Sequence, residues 1–144
     1  MNAANPYLIA GAAMSAMAAL AHLGCIIFGA SWYRFFGAGE KMASMAEAGL
    51  WYPTVATLLI TGMLASWSLY ALSGAGVIRD LPFPRLALCA ITLVYFVRGI
   101  AFVWLIPVFP GNSMTFWLVS SGICMAIGMT HLVGLLQIWT RFQE

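Results

Sequence analysis

Arg98 offers the most chemistry in this chain, because it stands in an apolar run, with Val94-Tyr95-Phe96-Val97 before it and Ile100-Ala101-Phe102-Val103 after it. An arginine at the centre of a membrane helix costs about 2.5–3.5 kcal/mol on insertion scales, so it should face protein or water and be paired. The acidic residues Glu40, Glu47, Asp80 and Glu144 all fall outside the long apolar runs. A carboxylate partner from the same chain therefore requires the segment around Glu47 to dip inward. Tyr95 precedes Arg98 by one helical turn and is within reach of the guanidinium by its hydroxyl or its ring. Counted at 1.5 Å per residue from a common face, Arg98 stands at about 20 Å and His22 at about 24 Å, with Thr57 and Thr61 near the same level. The ligand or pathway candidates are thus Arg98, His22, Tyr95, Thr57 and Thr61, with His131 and Glu47 as secondary candidates. A cation without countercharge attracts an anionic substrate, a lipid headgroup or a quinone carbonyl. The plainer alternative is a structural arginine satisfied by carbonyls, hydroxyls or a neighbouring subunit.

His22 and His131 raise the question of haem, since histidines on two membrane helices are the usual axial ligands in bundle cytochromes. Depth argues against one iron binding both, because the second histidine lies only about 8–10 Å from the face from which the first lies about 24 Å. Metal binding needs three or four converging ligands, which two separated histidines and three scattered cysteines do not supply. Cys25, Cys89 and Cys124 form no C-x-x-C pair and read as small packing residues. No cofactor is expected. Nor is there a phosphate-binding loop, a nucleophile elbow or an H-E-x-x-H helix.

These residues must be positioned by elements suited to lipid. Of 144 residues, 63% are hydrophobic and 7% charged, too few charges to cover a soluble domain of this size. The net charge of +2 is small and its basic residues are scattered, which excludes nucleic acid as a partner. Four apolar stretches are long enough to span a bilayer, at about 6–31, 53–72, 85–108 and 115–139. Prolines stand at or near their starts, and Ser73-Gly74-Ala75-Gly76 and Pro107, Pro110 and Gly111 close the second and third. The expected fold is an all-α membrane protein, a single domain over 1–144 with four transmembrane helices in an up-down bundle. A short interfacial helix is expected in the first loop, around Glu40 to Glu47. Aromatic residues near the predicted ends, including Trp32, Trp51, Trp117 and Trp139, read as an interfacial belt. Arg79, Arg85 and Arg141 on one side against Arg34 and Lys41 on the other place both termini in the cytoplasm, in a bacterial inner membrane.

Small and weakly polar residues recur on one face of three of these helices. They are Gly11, Ser15, Ala18, His22, Cys25 and Gly29 in the first, Thr54, Thr57, Thr61, Ala65 and Ser68 in the second, and Ser121, Cys124, Gly128 and His131 in the last. Such faces serve either as close helix interfaces or as the lining of a polar path. Three functions fit. The first is a small oligomeric transporter or channel with an intramembrane polar site around Arg98 that favours an anionic or lipid-like ligand. The second is a non-catalytic subunit or assembly factor of a larger membrane complex. The third is an intramembrane enzyme or quinone-linked redox protein using His22, Tyr95 and Arg98.

Overall fold

The computed structural model describes residues 4–139, and these form helices and connecting turns with no strand among them. Helix α1 (Pro6–Phe28) begins where Pro6 needs no amide partner, and the Asn5 side chain accepts a hydrogen bond from the Leu8 N–H at 3.0 Å. Gly29, at φ 74°, breaks it and releases the short helix α2 (Ala30–Phe35). Gly37 and Gly39, at φ 71° and 92°, turn the chain into α3 (Glu40–Glu47), positions that a residue with a Cβ fills only under strain. Helix α4 (Trp51–Gly74) carries Pro53 in its first turn. Helix α5 (Pro84–Ile100) starts at a proline preceded by Phe83 in the left-handed region, at φ 51°. The four-residue α6 (Phe102–Leu105) follows, and α7 (Met114–Gln137) is capped by the Ser113 hydroxyl, which accepts from the Phe116 N–H at 3.1 Å.

Among the described residues three helices, α1, α4 and α7, are long and apolar enough to cross a membrane, where the sequence suggested four. The difference lies in the 85–108 stretch, where α5 is a 17-residue helix that ends at Ile100. Backbone bonding resumes beyond the break with the Trp104 and Leu105 amides donating to the Ala101 carbonyl. Pro107 has no N–H for the Val103 carbonyl and its ring would collide with it, so α6 stops at Leu105. Apolar composition had concealed this interruption. In the first loop two short helices stand where one was expected, because the left-handed glycines divide the segment.

Helix α1 packs on α4 and α7, and α5 packs on α7 and α4. The start of α1 is tied to the ends of α4 and α7. Asn5 donates its backbone N–H to Ala75 at 3.0 Å and its side-chain amide to Gln137 at 2.9 Å. Leu8 fills the space left by two glycines, since an added Cβ would approach it to 3.1 Å at Gly74 and 2.6 Å at Gly134. Farther along α1, the Ser68 hydroxyl donates to the Ala12 carbonyl at 2.8 Å, which only a close helix approach permits. At the other end, Tyr33 of α2 bonds Thr57 of α4 at 3.0 Å, and Asn112 donates to the Gly37 carbonyl at 2.9 Å. Large apolar side chains such as Met17, Leu20, Leu59, Leu86 and Trp104 point outward. Three apolar helices of spanning length with outward-facing hydrophobic side chains fit a membrane protein.

Candidate functional site

The contacts between helices set the heights at which polar residues stand. The His131 ring lies against Gly11, where an added Cβ would come within 2.7 Å of it, and Asn5 meets Gln137, so α1 and α7 run in opposite senses. Rising from Gly11 to His22 along α1, or from His131 to Ser120 along α7, covers about 16 Å in each case. The Ser68 bond to Ala12 likewise brings the Thr57 to Thr61 segment of α4 to about the height of His22. His22, Thr57, Thr61 and Ser120 therefore occupy one layer, between the middle of the helices and the α2–α3 end.

Arg98 reaches this layer from α5. It stands in the last turn of that helix, with Ala101 as the C-cap, so the expectation of a mid-helix arginine with no end nearby is corrected. The break after Ile100 moved the helix end to within one turn of it. The helix C-terminus carries partial negative charge that favours a cation by roughly 0.3–1 kcal/mol. The half-buried guanidinium donates from Nη2 to the Ser120 hydroxyl at 3.3 Å, and its centre is 5.6 Å from the Trp117 ring. Its Nη1 is buried without a partner.

Tyr95 does not turn to Arg98. Its hydroxyl is 2.8 Å from Ser15 Oγ, and its ring packs edge-on to Trp67 at 5.2 Å and beside His131 at 5.5 Å. His131 is fully buried, and its Nδ1 is 2.9 Å from the Ile127 carbonyl. A carbonyl only accepts, so Nδ1 carries the hydrogen, which leaves Nε2 of the neutral ring as an acceptor that has no partner. His22 bonds the Ala18 carbonyl through Nδ1 at 2.8 Å. It stands about 16 Å above His131 along the helices, too far for one iron. Thr57 is occupied by Tyr33, while the buried Thr61 Oγ1 has no partner. The layer thus joins Arg98 to Ser120 and Trp117, leaves His22 and Thr61 at the same height, and excludes Tyr95.

Glu47 does not dip toward Arg98. It is exposed and bonded to Arg34 at 2.7 Å, and Glu40 grips the same guanidinium at 2.5 and 2.9 Å. These hydrogen bonds to Arg34 hold both carboxyls below their ordinary range and raise the Arg34 guanidinium above its own. Among the described residues no group of histidine, cysteine or acidic side chains is placed to hold a metal, and Cys25, Cys89 and Cys124 are unpaired thiols.

Sequence reasoning missed Ser120 and the contact that Arg98 makes with Trp117. Trp117 stands in the first turn of α7, near the helix end expected of it, and is buried, packed against Phe109 and Phe116 with Arg98 over its ring. Its spacing of three from Ser120 and four from Ser121 was the available signal. Among the described residues, Thr61 Oγ1, Arg98 Nη1, Trp117 Nε1, Ser121 Oγ and His131 Nε2 are buried without hydrogen-bond partners. Each such atom costs about 1–3 kcal/mol if left dry. Four of the five lie in or beside the Arg98 layer and can donate a hydrogen bond, a composition suited to an anion or to ordered water. Comparison with known proteins gives no match to a family model, to a curated protein or to a solved structure.

Proposed function

We propose that this protein crosses the membrane four times, with α5 and α6 together forming the third crossing, and that it transports an anionic or lipid-like ligand past Arg98. Pro84 to Leu105 extends about 33 Å at helical rise, enough for a hydrocarbon core of about 30 Å. The reading rests on one observation, the buried Arg98 Nη1 without a partner, with the unpartnered donors of Thr61, Ser121 and Trp117 at about the same height. Four helices enclose little volume, so a homo-oligomer supplies the remaining wall of the path. The lipid bilayer is the constant partner, in the proposed setting of a bacterial inner membrane with both termini cytoplasmic.

Efflux of chloride and of inorganic phosphate from liposomes containing the purified protein tests this, with Arg98→Ala as the comparison. A charge-assisted hydrogen bond contributes about 1.5–3 kcal/mol, so the variant should lose roughly ten- to a hundredfold in rate or apparent affinity. Equal flux through both proteins removes Arg98 from the path. A co-purified anionic lipid, present with the native chain and absent with the variant, would identify the lipid-like form of the ligand.

The same unpartnered Nη1 supports a second reading, in which a carboxylate on a helix of another subunit completes the pair and the chain is a non-catalytic member of a larger complex. Purification in mild detergent separates the two, because a partner held through Arg98 should dissociate in Arg98→Ala. The enzymatic or quinone-linked alternative needs His22, Tyr95 and Arg98 around one substrate, and the Tyr95 bond to Ser15 gives it no support.

A further inference from the structure

The unpartnered buried atoms are not scattered through the protein. Trp117, Ser121 and His131 lie along the inward side of α7, all nearly or fully buried, and the first and last are about 21 Å apart at helical rise. Arg98 from α5, bonded to Ser120, adds an unpartnered atom beside the upper part of this row, and Thr61 from α4 has another at about the same height. Between Ser121 and His131 the row continues through Cys124 and the glycine at Gly128, with the Ser15–Tyr95 hydroxyl pair one turn above His131. Beyond His131 the character changes. Leu8 and Leu88 are fully buried, Leu8 is wedged against Gly134 and Gly74, and Leu135 and Ile138 complete an apolar seal.

We infer that these atoms mark a hydrated column entering from the α2–α3 end and closed below His131, and that His131 Nε2 is the proton-binding group at its blind end. Buried waters bridge polar atoms that otherwise lack partners, which is the situation of Trp117 Nε1 and Ser121 Oγ in the upper part of the row and of His131 Nε2 at its lower end. The column delivers a proton to the Nε2 lone pair while Nδ1 keeps its own hydrogen on the Ile127 carbonyl. An O–H bond of a hydronium ion in the column breaks as the Nε2–H bond forms, leaving water and an imidazolium, and the proton returns by the same route. The groups facing the ring are the Tyr95 phenol from α5 and the neutral Gly11 and Ser15 from α1, with Trp67 of α4 beyond Tyr95. Cys124 lies two turns away on α7 itself, and Arg98 is the nearest charge along the column. The inference rests on the proposal that the interior is a polar path, and it gives that path a proton as second ligand.

The test reads the imidazole directly and needs no transported ligand. The full chain, labelled with nitrogen-15 histidine and held in lipid nanodiscs, contains two histidine rings, and His22→Gln assigns the remaining one. Between about pH 8 and about pH 5, the range in which histidine changes charge, the His131 Nε2 signal should move reversibly from an unprotonated to a protonated position. Ser121→Leu fills the column above it and should abolish that titration while the helical circular dichroism is unchanged. A His131 signal that stays constant over the whole range overturns the proton site. Titration that survives unaltered in Ser121→Leu overturns the column as its route. Neither result bears on anion flux through Arg98, so the two ideas fail separately.

Discussion

At the scale of single residues, this chain relies on glycines whose missing Cβ is occupied by someone else's side chain. A Cβ at Gly134 would lie 2.6 Å from Leu8 Cγ, whereas at Gly122, on the same helix, nothing stands within 4 Å. Overpacking a tight interface costs typically 1–3 kcal/mol, while glycine to alanine in an open helical position gains up to about 1 kcal/mol. Gly134→Ala should therefore destabilise the protein by about 1–3 kcal/mol, and Gly122→Ala should leave it unchanged or slightly firmer. Unfolding of both in detergent, followed by circular dichroism, measures the difference; a matched pair of curves would mean that Leu8 moves aside at no cost. Much at this scale was legible in the sequence. Gly11, Ser15, Ser68 and His131 were placed on inward faces by their spacing alone, and they do meet across helices. Which partner each would choose was not legible, because Tyr95 can face Ser15 or Arg98 only once the rotation of α5 against α1 is known.

The element scale is where the sequence reading was weakest, since apolar composition marks a run as buried in lipid but does not report where hydrogen bonding is interrupted. The 85–108 stretch broke at Ala101, and that break, rather than any change of residue type, turned Arg98 from a mid-helix cation into a helix-end one. The first loop carries the opposite lesson, because its charges specify its shape. Arg34 at the end of α2 is held by Glu40 at the start of α3 and Glu47 at its end, which fixes two helices too short to persist alone. The Arg34 bonds hold both carboxyls below the ordinary glutamate value of about 4.3. A depressed folded-state pKa adds stability that is complete above the unfolded value and is lost as pH falls through the folded one. The α2–α3 segment should accordingly be intact at neutral pH and loosen below about pH 4, while the long helices, which contain no acidic residue, persist. Amide hydrogen exchange across residues 40–47, corrected for the intrinsic rate at each pH, checks this. Arg34→Gln should show the loosened pattern already at neutral pH, and protection equal to the native chain would show that packing against α4 alone holds the segment.

For the molecule as a whole, the decisive question is how many times the chain crosses the bilayer, because the proposed column and the Arg98 layer have sides only if the ends of the helices do. Length and composition qualify α1, α4 and α7, and α5 is a short helix followed by a break. The proposed fourth crossing draws on two contacts. The start of α5 lies with the ends of α4 and α7, since Leu88 contacts Gly74, while the turn after α6 meets the α2–α3 end through Asn112 and Gly37. On the proposed reading, a segment joined to both ends of the neighbouring helices spans the distance between them. Cysteine labelling makes this measurable. With Cys25, Cys89 and Cys124 replaced by alanine, single cysteines at Lys41, Val77 and Gly111 fall in exposed positions of the first, second and third connections. In oriented membrane vesicles, Lys41→Cys and Gly111→Cys should react with an impermeant maleimide from the same face, and Val77→Cys from the other. If Gly111→Cys instead labels together with Val77→Cys, α5 and α6 re-emerge on the side they entered. Arg98 would then lie in a re-entrant segment that never separates the two aqueous phases, and a transport path through it would have no second opening.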